Sequence, residues 1–134
     1  SLADAVETFF RHWLDMFQPI EETIHVAESL RARGYSLVLL SNFIRESFLA
    51  LQPRMTFLPL FDRRVVSYEI GMVKPDRDIY EHLLHECRVE AAACLFIDDM
   101  ESNIQGAEAV GISTLLFRSP AQLREELQKM GLLP

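Results

Sequence analysis

Residues 94–111 read Cys-Leu-Phe-Ile-Asp-Asp-Met-Glu-Ser-Asn-Ile-Gln-Gly-Ala-Glu-Ala-Val-Gly. An apolar run ends in two adjacent carboxylates, Asp98 and Asp99, and a helical stretch follows at once. A short run of this kind suits a strand covered on both faces, as in a parallel sheet. Neighbouring anions at the carboxyl end of a strand repel one another unless water or a cation sits between them. Hard oxygen ligands suit Mg²⁺. The segment therefore predicts an α/β sheet with a metal-assisted site at one edge.

Working outward, strand and helix alternate. Residues 2–17 carry apolar groups at roughly helical spacing (Leu2, Val6, Phe9, Phe10, Trp13, Leu14, Phe17) and predict a helix that stops at Pro19. Residues 20–33 predict a second helix with Gly34 as its stop. The run 35–40 (Tyr-Ser-Leu-Val-Leu-Leu) predicts a buried strand closed by Ser41-Asn42, followed by a helix over 43–51. Pro53 and Pro59 bracket a loop. A short strand is expected over 64–68, a loop holding Lys74 over 69–75, and a helix over 76–87. A strand over 93–97, a helix over 101–110, a strand over 112–117 and a final helix over 120–130 complete the chain. This alternation is the mark of βαβ units in a Rossmann-like, mostly parallel sheet with flanking helices.

The 134 residues make one ordinary domain with 49% hydrophobic and 25% charged residues. The net charge of −7 argues against a nucleic-acid groove, which needs a basic stripe. No apolar run approaches the ~20 residues that cross a bilayer, and the first residues lack the basic start of a secretion signal. Cys87 and Cys94 therefore read as reduced thiols in a cytoplasmic protein. His82 and His85, at i and i+3 on one helix, read as ordinary helix-surface groups rather than a metal site. His12 and His25 are isolated.

Open α/β sheets bind ligands at the carboxyl ends of their strands. Ser41-Asn42, Lys74 and Asp98-Asp99 all fall at such ends or just past them. Alone, each has a plain alternative: a helix cap, a solvated loop lysine, acids favouring a helix dipole. In this order and placement they form a phosphate-handling set, with a cation for phosphoryl oxygens, carboxylates for Mg²⁺, and a hydroxyl and an amide to orient the group.

Leu37-Val-Leu-Leu-Ser41-Asn42, Gly71-Met-Val-Lys74-Pro75-Asp76 and Phe96-Ile-Asp98-Asp99-Met-Glu-Ser-Asn103 resemble the second, third and fourth motifs of the haloacid dehalogenase (HAD) superfamily. The likeness runs from about Pro19 to Phe117. It is narrower with the helical-cap members, such as small sugar-phosphate phosphatases and the phosphatase domain of soluble epoxide hydrolase. The resemblance implies that Ser41 and Asn42 contact the transferring phosphoryl group and that Lys74 steadies the nucleophile and the phosphate charge. It implies that Asp98 and Asp99 hold Mg²⁺ directly or through water, with Asn103 supporting Lys74 or the metal shell. Residues 1–18 are expected to be a helical cap remnant and 19–134 the HAD-like core.

The family's first motif, a strand ending Asp-x-Asp, has no counterpart here. Asp76-Arg77-Asp78 has the letters but no apolar strand before it. The sheet is therefore expected to lack its central strand, leaving the strands ending at Ser41 and Asp98 with unpaired edges. Such edges make homodimers or strand exchange plausible. The chain, which begins at Ser1, is expected to be the C-terminal portion of a longer enzyme, without aspartyl-phosphate chemistry of its own. The intact protein is expected to be a Mg²⁺-dependent phosphatase acting on a small phosphorylated metabolite. The alternatives are a haloacid dehalogenase, a phosphomutase, or a non-catalytic binding or oligomerising module.

Overall fold

The computed structural model describes residues 4–7 and 20–134. Its centre is a five-stranded sheet of β1 (Asp4–Glu7), β2 (Ser36–Ser41), β3 (Arg63–Val66), β4 (Cys94–Asp98) and β5 (Ser113–Leu116). The order is β3-β2-β1-β4-β5, and every neighbouring pair is parallel. All the carboxyl ends thus lie along one edge. The connections carry α1 (Ile20–Ala32), α2 (Arg45–Leu51), α3 (Ser67–Ile70), α4 (Arg77–Cys87), α5 (Glu101–Ala109) and, after β5, α6 (Pro120–Lys129).

The expected α/β sheet is present, but its middle is not vacant. Backbone pairing runs from Asp4 to Glu7 against Ser36–Leu39 on one side and Cys94–Ile97 on the other. Two corrections follow. The helix expected over 2–17 gives way to a strand at 4–7, and the open edges expected on β2 and β4 are paired. The physical reason is tertiary. Two buried strands one strand-width apart leave rows of N–H and C=O groups whose pairing outweighs the local helical pattern of four residues. With those edges filled, the ground for expecting strand exchange between chains is removed. Residues 8–19, which hold the rest of the expected cap remnant and its aromatic cluster, lie outside the described residues.

Burial on both faces follows the two-residue alternation of extended chain. Leu37, Leu95, Ile97 and Leu115 pack with Val26, Ala27 and Leu30 of α1 and Leu123 and Leu127 of α6. Val38, Leu40, Cys94 and Phe96 face the other way, onto Ile79, Tyr80 and Leu83 of α4 and Ile104 and Ala107 of α5. Leu39 and Val66 close a third cluster with Phe48, Met55 and Phe57. Cys87 and Cys94 are free thiols.

Local chemistry sets the helix ends. In α1, acids open the first turn (Glu21, Glu22), Arg31 closes the last, and Gly34 follows at φ +93°, where an L side chain is strained. The Ser119 hydroxyl accepts from the Gln122 N–H at 3.1 Å, with Pro120 next in line. The strand expected over 64–68 is shorter, because Ser67–Ile70 turns into one helical turn ended by Gly71 at φ +71°.

Candidate active site

Each expected site residue except Asn103 sits on the carboxyl edge of the sheet or in a loop leaving it; Asn103 lies in the first turn of α5. Ser41, the last residue of β2, is fully buried. Asn42 follows it, and its side chain makes a reciprocal pair with the main chain of Lys74. Nδ2 donates to the Lys74 carbonyl at 3.0 Å, and the Lys74 N–H donates to Oδ1 at 2.9 Å. The amide thus stands in for a strand partner and fixes the Lys74 loop against the end of β2. This commits most of the Asn42 side chain to positioning: of its four hydrogen-bonding sites, one acceptor site and one N–H are taken.

From that anchor the Lys74 side chain runs inward. Nζ donates to the Leu40 carbonyl at 3.2 Å and to Asp98 Oδ2 at 3.0 Å, and it lies 5.9 Å from the centre of the Phe96 ring. Lys74 and Asp98 form an ion pair whose side chains are 3% and 0% exposed. Burial pushes the Lys74 ammonium below its usual 10.5, and the charges of Asp98 and Asp99 pull it back up. An ammonium has three N–H donors, and two are used here.

Asp98 is saturated by its neighbours. Oδ2 also accepts from Asn103 Nδ2 at 3.1 Å, and Oδ1 accepts from the Met100 N–H at 2.8 Å. Asn103 is itself buried, and its carbonyl accepts from the Tyr80 hydroxyl at 2.7 Å. Asp99 is half-buried and close enough to act on the Lys74 charge. The structure therefore brings Asn42, Lys74, Asp98 and Asn103 into one hydrogen-bonded chain, with Asp99 and Ser41 beside it.

Three contributors escape a reading of the sequence alone. The buried Ser67 hydroxyl accepts from the Phe43 N–H and donates to the Phe43 carbonyl, both at 2.9 Å, clamping the segment that carries Asn42. Tyr80 holds Asn103 from α4. Gly106 lets α5 approach the lysine loop: a Cβ there would lie 2.7 Å from the Pro75 carbonyl oxygen and 2.9 Å from the Tyr80 ring. A glycine inside a helix costs about 1 kcal/mol relative to alanine, so Gly106 is the one sequence signal that pointed to a close approach. Serine and tyrosine carry no such mark.

Among the described residues, no three His, Cys, Asp or Glu side chains gather into a metal-binding group. The donor set still fits Mg²⁺, which is often held by one or two carboxylates, with water and substrate phosphate completing its shell. Among the described residues, no helix is long and apolar enough to cross a membrane.

Residues 4–111 match the family model described as haloacid dehalogenase-like hydrolase. The chain is 31% identical over 123 residues to the sesquiterpene phosphatase astK of Aspergillus oryzae, covering 91% of this chain. It spans 63% of that relative's length. A HAD family enzyme from Bacteroides thetaiotaomicron, solved in complex with magnesium and inorganic phosphate, superposes with a TM-score of 0.62 at 29% identity. That match covers 72% of this chain and 52% of the other. An uncharacterized protein from Corynebacterium glutamicum shares the fold over 100% of this chain and 98% of its own, with a TM-score of 0.79 and 18% identity.

Proposed function

The chain belongs to the haloacid dehalogenase-like hydrolases, and from that membership we propose that its carboxyl-edge site binds the phosphoryl group of a small phosphate monoester with Mg²⁺, in the service of ester hydrolysis. The observation that carries the reading is the buried Lys74–Asp98 pair, held at the end of β2 by the Asn42 side chain. A lysine kept dry and aimed at a strand end is a poor structural choice and a good phosphate partner.

In this reading Lys74 offers its third N–H and its charge to phosphoryl oxygens. Ser41 and the second N–H of the Asn42 amide orient the group. Asp98 keeps the lysine protonated and in place, and Asn103 keeps Asp98 in place. Asp99 is the carboxylate for Mg²⁺, because both oxygens of Asp98 are already accepting hydrogen bonds. When bound, the metal supplies Lewis-acid neutralisation of phosphoryl charge. The magnesium and phosphate of the Bacteroides complex and the phosphatase activity named for the Aspergillus relative support this assignment. The paired acids disfavour a dehalogenase, which does its chemistry without metal.

The attacking carboxylate is not assigned to any described residue. β1 runs into Thr8-Phe9-Phe10, without an Asp-x-Asp. That absence favours a second reading, a phosphate-binding module without turnover. Calorimetric titration of the chain Ser1–Pro134 with inorganic phosphate, with and without MgCl₂, tests the site directly. Saturable binding that Lys74→Ala abolishes, with a magnesium-dependent part that Asp99→Asn abolishes, is expected. Binding indifferent to Lys74→Ala would sink the reading. Release of nitrophenol from nitrophenyl phosphate by the same polypeptide decides between hydrolase and binding module.

A further inference from the structure

Among the described residues, the exposed large apolar side chains are Ile44 (65%), Leu49, Val73 (46%), Met100 (37%) and Met130. Three of these flank the site from three separate loops. Ile44 comes two residues after Asn42, Val73 immediately before Lys74, and Met100 immediately after Asp99. None hangs on loose chain. The Ile44 carbonyl accepts from the Phe48 N–H at 3.0 Å, the Val73 carbonyl from the Asp76 N–H at 2.9 Å, and the Met100 N–H is held by Asp98. An apolar rim set by anchored backbone around a polar floor is the makeup of a preformed ligand site.

We propose that the ester group carried by the phosphate is apolar: the ligand is the phosphate monoester of a hydrophobic alcohol, seated with its phosphoryl end at Lys74 and its hydrocarbon against Ile44, Val73 and Met100. The inference rests on the phosphoryl-site reading above and deepens it. A sugar phosphate would need hydrogen-bond partners for its hydroxyls where these three side chains offer none, and desolvated hydroxyls without partners are rejected. Hydrocarbon placed there removes apolar surface from water on both sides.

Titration of Ser1–Pro134 in MgCl₂ with inorganic phosphate, methyl phosphate, hexyl phosphate and glycerol phosphate tests it. Hexyl phosphate is expected to bind at least about tenfold more tightly than methyl phosphate, since each methylene fully buried is worth about fourfold. Glycerol phosphate is expected to show no such gain. The triple variant Ile44→Ser, Val73→Ser, Met100→Gln is expected to bring hexyl phosphate to within about twofold of methyl phosphate. Met130→Ser, at the far end of α6, is expected to keep the gradient. If phosphate binds but methyl, hexyl and glycerol phosphates bind alike, or the gradient survives the triple variant, the apolar rim is wrong and the phosphoryl site stands. If inorganic phosphate itself fails to bind, the phosphoryl site is wrong and the rim proposal falls with it.

Discussion

Lys74 and Asp98 are both removed from water, so each depends on the other. Removing one partner of a buried pair strands a charge, at a cost of about 3–5 kcal/mol. Asp98→Asn is therefore expected to lose stability on that scale in urea unfolding at neutral pH, far more than an exposed exchange such as Glu125→Gln. A loss under about 1 kcal/mol would mean that Lys74 finds another partner. Tyr80 gives a pH-dependent counterpart. Burial first, then the charges of Asp98 and Asp76, raise its hydroxyl well above the usual 10.0. The folded chain keeps that proton where the unfolded chain gives it up, so this contribution is complete below pH 10 and is lost as pH rises beyond it. Tyr80→Phe loses the 2.7 Å bond to the Asn103 carbonyl, about 1 kcal/mol, but has no proton to release. The stability gap between the two proteins is expected to narrow as pH climbs past 10, and a gap that widens would reverse the sign of the argument.

The elements show where sequence patterns suffice. The apolar runs ending at Leu40 and Ile97, and the helices stopped by Gly34 and Gly111, carry their own boundaries, so β2, α1, β4 and α5 were legible residue by residue. β1 was not. Asp-Ala-Val-Glu has neither an apolar run nor a turn signal, and only the neighbours on either side make it a strand. The site divides the same way. Its residue types were legible from strand ends, whereas the Asn42–Lys74 pairing joins residues far apart in the chain and has no local trace. Gly106 lies between these cases, and it supports a prediction at this scale. By helix propensity alone, Gly106→Ala should stabilise α5 by about 1 kcal/mol. Its Cβ instead meets the main chain of Pro75, which cannot swing aside as a side chain can. A net loss of about 1–3 kcal/mol is expected, with weaker phosphate binding because Pro75 moves Lys74 with it. A stabilised variant with unchanged binding would show that the helix and loop are free to part.

At the scale of the molecule, β1 decides whether the two halves of the sheet are one body. β3 and β2 lie on one side of it, β4 and β5 on the other, and the site draws Asn42 and Lys74 from the first half and Asp98, Asp99 and Asn103 from the second. The register sets Val6 beside Val38 and Phe96, in the middle of the ladder. A proline there removes a ladder N–H and cannot sit in a central strand without breaking its pairing. Val6→Pro is therefore expected to expose the amides of 36–39 and 94–97 together in hydrogen exchange. About 1–3 kcal/mol is lost for each backbone group left without a partner. Phosphate binding is expected to weaken in the same variant, although no site residue has changed, because the halves carrying Lys74 and Asp99 are no longer held in register. Protection confined to one side of the sheet, or phosphate affinity untouched by the proline, would show that the Lys74–Asp98 pair alone joins the halves and that β1 is not their seam.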